Sequence, residues 1–387
     1  GMWWENEGQR ALANNSVAYK GKPEMGTFMR EWVSLYESKS GERGIFNRES
    51  AKKQAAKNGR RDTEHDFGCN PCSEIILRPY QFCNLSEVVA RAGDTEKTLA
   101  TKVGLATILG TFQSTMTNFK YIRKIWQKNT EEERLLGVSL TGIMDNEMLS
   151  GNSATLGKNI GATLELLREV AVQTNKGMAK KLGIPQSTAI TCVKPSGTVS
   201  QLVDSASGIH ARHNPHYIRT VRGDNKDPLT QFLISEGIPA EPDVMKPDST
   251  TVFSFPMKSP NAAVTRTEMT AIEQLDLWLL YQRHWCEHKP SVTISVKENE
   301  WMSVGSWVYE HFDEVSGISF LPFSDHTYAQ APYQDCTKDE YKEMLAKMPK
   351  AVNWNKLSDF EKEDTTSGGR ELACTAGVCE VVDLTAA

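Results

Sequence analysis

The sequence predicts an α/β protein, and two features of its pattern lead to that class. Short runs rich in β-branched and aromatic residues alternate with longer stretches that place apolar residues at helical intervals, most clearly over residues 187–323. Strands separated by helical segments favour a largely parallel sheet, here one that curls into a barrel. A chain of 387 residues is also long enough to bury a large core.

Before residue 187 the pattern is mainly helical. Helices are predicted over residues 23–40, 95–119, 131–146 and 153–182, with a charged connection that lacks apolar periodicity over residues 48–66. From there on, strands are predicted at residues 187–193, 216–222, 249–257, 291–296 and 317–323. The helical segments between them cover residues 198–206, 227–237, 266–288 and 299–313. TTSGGR, at residues 365–370, is typical of a flexible linker.

Composition excludes several classes of function. The net charge of −5 provides no basic surface for gripping nucleic acid, and no run of 18 apolar residues predicts a membrane span. The start, GMWWENEGQR, lacks the pattern of a secretory signal and reads as the middle of a longer protein. Eight cysteines are too few for a disulfide scaffold, so we expect reactive or metal-binding thiols in a reducing cytoplasm.

Three of the cysteines are concentrated in one short region. CNPCSEI occupies residues 69–75, and FCNLSEV follows at residues 82–88. Thiols placed beside asparagines and glutamates indicate either a metal site or redox chemistry on something bound nearby.

A four-thiolate zinc site could use Cys69, Cys72, Cys374 and Cys379. Asn70 and Pro71 interrupt the first pair, and the second pair follows a Gly/Ser linker that would brace a structural metal poorly. A redox role suits the pair Cys374 and Cys379 better, because thiols on a flexible linker can reach an interior disulfide, reduce it by exchange and move away again. The isolated cysteines and the histidines of residues 210–216 are interpreted as core and loop residues, so no metal site is predicted.

VKPSGTVSQLV, at residues 193–203, is a candidate phosphate cradle. A predicted strand leads into a turn at which a helix begins, so free backbone N–H groups would point at an anion. Gly197 allows close approach of the backbone, and Ser196, Thr198 and Ser200 add hydroxyls. The alternative is an ordinary capped turn between strand and helix. No P-loop lysine follows the glycine, which excludes a Walker-type ATPase.

Together these motifs resemble the large catalytic chain of ribonucleotide reductases. NPCSEI, FCNLSE, KPSGT and the C-x4-C tail occur in the family's order, and RALANNSVAY, ESKSGERGIFNR, SFLPFSDHTYAQAPYQ and CEVVDL resemble one branch of it. That branch is the monomeric, adenosylcobalamin-dependent (class II) ribonucleoside-triphosphate reductases. The resemblance runs along essentially the whole chain.

The resemblance implies the C-terminal part of a ten-stranded α/β barrel with a central finger loop. Residues 1–66 would be a partial barrel segment and connection, residues 67–364 the catalytic barrel part, and residues 365–387 a flexible redox tail. It also implies adenosylcobalamin as cofactor, a ribonucleotide substrate, with triphosphates favoured, and a thioredoxin-like reductant. Neither nucleic acid nor membrane is an expected partner.

Roles for individual residues follow from the same resemblance. Cys72 would carry a transient thiyl radical, Glu74 would act as base for the 3′ hydroxyl, and Asn70 would hydrogen-bond the ribose. Cys83 would be one of two thiols that become a disulfide. The tail pair, Cys374 and Cys379, would regenerate these thiols. The residues implied to hold the nucleotide phosphates are Pro195, Ser196, Gly197, Thr198, Val199 and Ser200.

One departure from the family pattern concerns the partner of Cys83. That partner should come from an earlier strand, and no cysteine precedes Cys69. We therefore expect the N-terminal half-barrel to be absent and this chain to be inactive alone. It would be either half of a split enzyme with a separately encoded N-terminal piece or a truncated product.

Two alternatives stay open at this point. A class I large subunit needs an adjacent tyrosine pair on a late strand, whereas Tyr328 and Tyr333 are isolated. The other alternative is a non-catalytic zinc-binding or assembly module.

Overall fold

The computed structural model describes residues 15–39, 44–151, 160–323 and 329–362. The predicted redox tail, with Cys374 and Cys379, lies outside these ranges. Among the helices that are described, none is long and apolar enough to cross a membrane.

Strands and helices alternate along the chain, as an α/β protein requires. The strands are β1 (Ser16–Tyr19), β2 (Gly44–Asn47), β3 (Gly68–Cys69), β4 (Ile76–Leu77), β5 (Asn84–Val89), β6 (Leu136–Thr141), β7 (Thr191–Cys192), β8 (His216–Asp224), β9 (Ala240–Pro242), β10 (Thr250–Lys258), β11 (Val292–Val296), β12 (Ile318–Pro322) and β13 (Tyr333–Asp335). The α-helices are α1 (Met25–Ser38), α2 (Arg48–Ala56), α3 (Glu96–Gln113), α4 (Lys124–Glu133), α5 (Glu147–Ser150), α6 (Ile160–Leu182), α7 (Val199–Leu202), α8 (Pro228–Ser235), α9 (Ala271–His284), α10 (Trp301–Glu310), α11 (Lys338–Lys347) and α12 (Leu357–Phe360).

The chain divides into two compact units. The first contains residues of Gly1–Arg212 and Ala262–Ser324, and the second contains residues of His213–Asn261 and Asp325–Ala387. The boundaries predicted at residues 66 and 364 do not coincide with this division.

Seven strands of the first unit follow one another in the order β5-β6-β7-β11-β12-β2-β1. Strands β5, β6 and β7 are parallel, as are β11 and β12, and a parallel bridge between Val193 and Pro290 continues the series from β7 toward β11. Ile318 of β12 pairs antiparallel with Ile45 of β2, and β2 runs parallel to β1. Five strands thus share one direction, and their carboxyl ends lie at one edge.

The prediction of one helix over residues 131–146 is wrong, because Leu136–Thr141 form strand β6. All six residues of β6 are buried, because the strand lies between β5 and β7 and is covered by α3. A short apolar run that is buried on both faces has no alternation, so its pattern does not distinguish a strand from a helix.

The prediction of a connection without regular structure over residues 48–66 is wrong in its first half, because Arg48–Ala56 form helix α2. Asn47 caps this helix by accepting hydrogen bonds from the backbone N–H groups of Glu49 and Ser50. Its buried face consists of small or polar residues such as Ala51, Gln54 and Ala55, which give little apolar signal.

Two tryptophans tie helix α9 to the strand ends near the candidate site. Trp278 and Trp285 are fully buried. The indole Nε1 of Trp278 donates to the carbonyl of Pro290 (2.9 Å), and that of Trp285 donates to the carbonyl of Cys192 (2.7 Å). A buried indole N–H requires such a partner, so both bonds fix the backbone around β7 and β11.

The second unit is built on an antiparallel sheet with the strand order β13-β8-β10-β9. The nine residues of β8 pair with all nine of β10, from His216 opposite Lys258 to Asp224 opposite Thr250. The strands at residues 216–222 and 249–257 were therefore predicted at the right places, but they do not join the parallel sheet. Alternation of strands and helices indicates parallel pairing only on average.

Candidate active site

The Cys–Asn–Glu segment forms a narrow hairpin whose loop carries Cys72. Strands β3 and β4 pair antiparallel, with Gly68 opposite Leu77 and Cys69 opposite Ile76. The backbone N–H of Ser73 donates to the carbonyl of Asn70 (2.9 Å), and Ser73 has a left-handed φ of 64°. The loop therefore doubles back immediately after Cys72, which agrees with the predicted finger loop.

Asn70 and Glu74 are held together inside this loop. Nδ2 of Asn70 donates to Oε1 of Glu74 (2.8 Å), and Oδ1 of Asn70 accepts from the backbone N–H of Ile75 (3.0 Å). The side chain of Glu74 is fully buried. Both ends of the Asn70 amide are thus used within the loop, and its expected contact with a ribose stays a prediction.

Lys194, at the end of the β7 segment, supplies the charge that the buried carboxylate needs. Its Nζ lies 3.1 Å from Oε1 of Glu74, and its side chain is one-third exposed. Burial opposes the charge of Lys194, but Glu74 and Cys72 raise its pKa above the ordinary value. Oε2 of Glu74 is buried and has no hydrogen-bond partner in the part of the chain that the structure describes.

Residues between α9 and β11 anchor the hairpin from below. The backbone N–H of Lys289 donates to the carbonyl of Glu74 (3.0 Å), and Nδ1 of His288 accepts from the N–H of Ile76 (3.3 Å). Nε2 of His288 lies 2.9 Å from the carbonyl of Leu136, so this nitrogen carries the proton and donates. Burial holds the pKa of His288 well below its usual value, and the ring is neutral.

Cys72 is a neutral thiol at ordinary pH. Burial, and then the charge of Glu74, raise the pKa of this half-buried thiol, although Lys194 acts in the opposite direction. Hydrogen-atom chemistry requires a sulfur that carries its hydrogen, and this environment keeps it there. Nucleophilic or metal-binding cysteines, by contrast, have a lowered pKa.

Cys83 lies directly before β5 and beside the same loop. A Cβ added to Gly137 of β6 would lie 3.4 Å from Sγ of Cys83 and 2.9 Å from Cδ1 of Ile75. Glycine at position 137 therefore lets this thiol and the finger loop approach the sheet. Burial, followed by the charge of Glu74, raises the pKa of Cys83 far above its ordinary value.

The predicted phosphate cradle has the expected local form. The chain leaves β7, turns at Ser196, which has a left-handed φ of 57°, and enters the short helix α7 after Thr198. Ser200 is fully buried, and its hydroxyl donates back to the carbonyl of Ser196. The Oγ of Ser196 is buried and faces Glu87, whereas Thr198 and Val199 are exposed.

Sequence reasoning missed two charged residues of this site. Lys194 is the first residue of the KPSGT motif, and Glu87 is the glutamate of FCNLSEV. Burial raises the pKa of Glu87, while the Ser196 hydroxyl and Lys194 lower it, so these three groups lie close together. The available signal was topological: Glu87 lies on β5 and Lys194 just after β7, two parallel strands that flank β6, and functional side chains converge where such strands end.

Of the three isolated cysteines interpreted as core residues, two lie in the core and Cys336 does not. Cys192 and Cys286 are buried, Cys336 is half-buried, and all six cysteines in the described ranges are free thiols. Within those ranges, no three His, Cys, Asp or Glu residues are grouped so that they could hold a metal ion.

The chain is similar in sequence to curated proteins of one kind. No family model matches the chain. The adenosylcobalamin-dependent ribonucleoside-triphosphate reductase of Euglena gracilis is 28% identical over 321 residues, which are 81% of this chain and 42% of the relative. The enzyme of the same name from Lactobacillus leichmannii is 26% identical over 413 residues, covering 96% of this chain and 53% of the relative.

A crystal structure of a B12-dependent (class II) ribonucleotide reductase has the same fold. It superposes with a TM-score of 0.75 at 22% identity and covers 94% of this chain and 54% of that one. The chain spans about half the length of the curated relatives it matches. In sequence, this chain is thus similar to the adenosylcobalamin-dependent ribonucleoside-triphosphate reductases, and its fold is similar to that of a class II ribonucleotide reductase.

Proposed function

We propose that this chain is the part of a ribonucleotide reductase that carries the thiyl-radical loop, and that the complete enzyme reduces ribonucleoside triphosphates. The observation that carries the proposal is the arrangement around Glu74. Its buried carboxylate shares Oε1 between Asn70 and Lys194, lies two residues from the neutral thiol of Cys72, and leaves Oε2 without a partner among the described residues. The reaction itself is inferred from the similar proteins, which are named ribonucleoside-triphosphate reductases.

In this proposal Cys72 and Glu74 act on one ribose. The Cys72 thiyl takes the hydrogen atom from the 3′ carbon, and Glu74 accepts the proton of the 3′ hydroxyl. Asn70 orients the carboxylate through the 2.8 Å hydrogen bond and does not titrate. Burial of Glu74 excludes water from the base, which strengthens its interaction with a bound hydroxyl.

Reduction then replaces the 2′ hydroxyl with hydrogen and releases water. Two thiols supply two electrons and two protons and become a disulfide. Cys83, with its high pKa, is one of these thiols and carries its proton until it reacts. Its partner comes from the remaining portion of the enzyme. Cys374 and Cys379 reduce the disulfide by thiol exchange and are themselves reduced by a thioredoxin-like protein.

Adenosylcobalamin is the cofactor that the relatives' names imply. When bound, it supplies an organic radical that can take a hydrogen atom from a thiol. The chemistry of Cys72 fits this requirement, because the site keeps this half-exposed sulfur protonated. Cys72 is therefore the residue of this chain that would meet the cofactor's radical.

The turn of KPSGT is the proposed site for the substrate's phosphates. Ser196 to Val199 would supply backbone N–H groups, because Pro195 has none and the N–H of Ser200 already donates to the carbonyl of Ser196; the Ser196 hydroxyl would add a further donor. Ser200 would act by shaping the turn, since its own hydroxyl donates to Ser196. We further propose that the enzyme works in the cytoplasm, where free thiols stay reduced.

The proposal is tested by assaying deoxyribonucleotide formation from ATP and CTP with adenosylcobalamin and dithiothreitol. The chain is assayed alone and together with the remaining portion of the enzyme, and a Cys72→Ala variant serves as the control. We expect product only in the combined sample with Cys72 intact. No product in any sample, or equal product from the Cys72→Ala variant, would contradict the proposal.

A further inference from the structure

Lys194 holds a position that the roles given above do not explain. It is the lysine nearest to Glu74, with Nζ 3.1 Å from Oε1, and it also influences the ionisation of Cys72 and Glu87. The titratable groups that face it are Glu74 and Cys72 from the finger loop, Cys192 from β7, Cys83 directly before β5, and Glu87 from β5. Its ammonium thus lies among the groups at the carboxyl ends of the parallel strands.

The backbone of Lys194 is fixed on several sides. Its N–H donates to Oγ of Ser139 on β6 (2.8 Å), and the preceding residue, Val193, bonds to Lys289 and Ser291 on the other side. A Cβ added to Gly208 would lie 2.6 Å from the Lys194 carbonyl, so another loop passes directly against it. With its backbone held in this way, Lys194 can adjust only through its side chain.

The two oxygens of Glu74 have different surroundings. Oε1 accepts hydrogen bonds from both Asn70 and Lys194, whereas buried Oε2 has no partner in the described ranges. A buried carboxylate oxygen without a partner is costly, and such atoms occur where a ligand completes the hydrogen bonding. The two donors on Oε1 fix the plane of the carboxylate and leave Oε2 for a donor that arrives with the substrate.

We infer that Lys194 is a positioning residue that binds Oε1 of Glu74 and thereby presents Oε2 to the ribose hydroxyl. The inference rests on the proposed function and adds to it a residue with a stated task.

Two substitutions at position 194 separate charge from packing. Lys194→Met removes the ammonium and keeps a long apolar side chain, and Lys194→Arg keeps the charge. Lys102→Met is the matched control: Lys102 is exposed to 36%, close to the 33% of Lys194, and its Nζ also pairs with a carboxylate, that of Asp94 at 2.5 Å.

The first readout does not depend on catalysis. Alkylation of Cys72 by iodoacetamide is followed against pH by mass spectrometry of its peptide. Since Lys194 favours the thiolate of Cys72, Lys194→Met should move the midpoint of this profile to higher pH, whereas Lys194→Arg and Lys102→Met should leave it close to that of the wild type. A profile that does not move in Lys194→Met would overturn the placement of Lys194 at this site.

The second readout is turnover by the combined enzyme. Lys194→Met should lower kcat about 100-fold, at the lower end of what a general base contributes, with KM changed less than threefold. Lys194→Arg should recover much of the rate. A kcat within threefold of the wild type would overturn the positioning role. A wild-type enzyme without any activity would contradict the proposed function instead, while the alkylation profile would still report on Lys194.

Discussion

Arg61 and Glu133 form a buried ion pair with two hydrogen bonds: Nε of Arg61 lies 2.8 Å from Oε1 of Glu133, and Nη2 lies 3.0 Å from Oε2. Gln81 bonds to both partners, donating to Glu133 and accepting from Arg61 at 3.5 Å. Arg61 precedes the β3–β4 hairpin, Gln81 follows it, and Glu133 ends α4. The network therefore ties both ends of the loop that presents Cys72 to a helix of the same unit.

Glu133→Gln should destabilise the protein by about 3 kcal/mol, because it leaves the buried guanidinium without its counter-charge. Glu343→Gln is the control, since Glu343 is an exposed glutamate of α11; its expected effect is below about 1 kcal/mol. Urea unfolding measures both changes. Equal effects of the two substitutions would mean that the buried pair has no special role.

The same ion pair gives a prediction of pH dependence. Burial opposes the ionisation of Glu133, yet the hydrogen bonds and charge of Arg61 hold its pKa below the ordinary 4.5. A lowered folded-state pKa contributes stability above the unfolded-state value and loses it as the pH falls through the folded-state value. The difference between the wild type and Glu133→Gln should therefore be constant above about pH 5 and shrink below pH 4.5.

Cys72→Ser should abolish ribonucleotide reduction by the combined enzyme without altering the fold, because a serine hydroxyl does not form the required radical. Cys69→Ser is a closely matched control: Cys69 lies in the same hairpin, and its Sγ is 3.4 Å from Oγ of Ser73. We expect it to retain most of the activity. Measurable turnover by Cys72→Ser, or equal losses in both variants, would assign the radical to another residue.

The local structure of the site was largely predictable from the sequence, because its motifs are contiguous. A turn after Asn-Pro, a strand that runs into KPSGT and a helix start near Thr198 are all set by neighbouring residues. The pairing of Glu74 with Lys194 was not predictable in this way, since 120 residues separate them. The hairpin that carries Glu74 is bound to Lys289, and Lys194 follows β7, so long-range packing brings the two residues together and no local pattern encodes it.

The errors in secondary structure have a similar physical origin. Strand β6 is an apolar run without alternation, and α2 hides its buried face behind alanines and a glutamine. The secondary structure of both segments depends on the elements that pack against them, so tertiary packing overrides the hydrophobic pattern of the local sequence. The pairing of β8 with β10 also depends on long-range contacts. The alternation of strands and helices predicted parallel pairing, whereas these two strands pair antiparallel.

Cys374→Ser should spare a single turnover and stop multiple turnovers with a thioredoxin-like reductant. The first cycle uses thiols that are already reduced in the site, whereas later cycles need the tail pair to exchange with the disulfide. Rapid-quench measurement of deoxynucleotide per enzyme separates the two regimes. Dithiothreitol should restore multiple turnovers if it reaches the site directly. An equal loss in the first turnover would give the tail a structural role.

Ser196→Ala should weaken binding of ATP to the combined enzyme about tenfold, because a charge-assisted hydrogen bond to a phosphate is lost. Among the described residues, the Ser196 hydroxyl interacts with Glu87, whose pKa it lowers, so Glu87 also loses this contact in the variant. Ser303→Ala is the control, since Ser303 is an exposed serine whose hydroxyl donates to a backbone carbonyl in the same way as many helical serines. Isothermal titration measures both affinities. Unchanged affinity in Ser196→Ala would remove this turn from the phosphate site.

Lys289 is a fully buried lysine directly below the finger loop. Its Nζ donates to Oγ of Ser316 (2.8 Å) and lies 4.3 Å from the centre of the Phe46 ring. Burial lowers the pKa of Lys289 from 10.5 to about 8. Its backbone N–H also donates to the carbonyl of Glu74, so Lys289 contacts the finger loop, and the charge of Glu74 opposes part of the lowering of its pKa.

Between pH 8 and 10.5 the unfolded chain binds a proton at Lys289 that the folded chain has already released. The free energy of unfolding of the wild type should therefore rise through this window relative to that of Lys289→Met, by about 3 kcal/mol in total. Urea unfolding of both proteins at several pH values measures the difference, in which the titration of all shared groups cancels. Parallel curves for the two proteins would show that Lys289 keeps an ordinary pKa in the folded state.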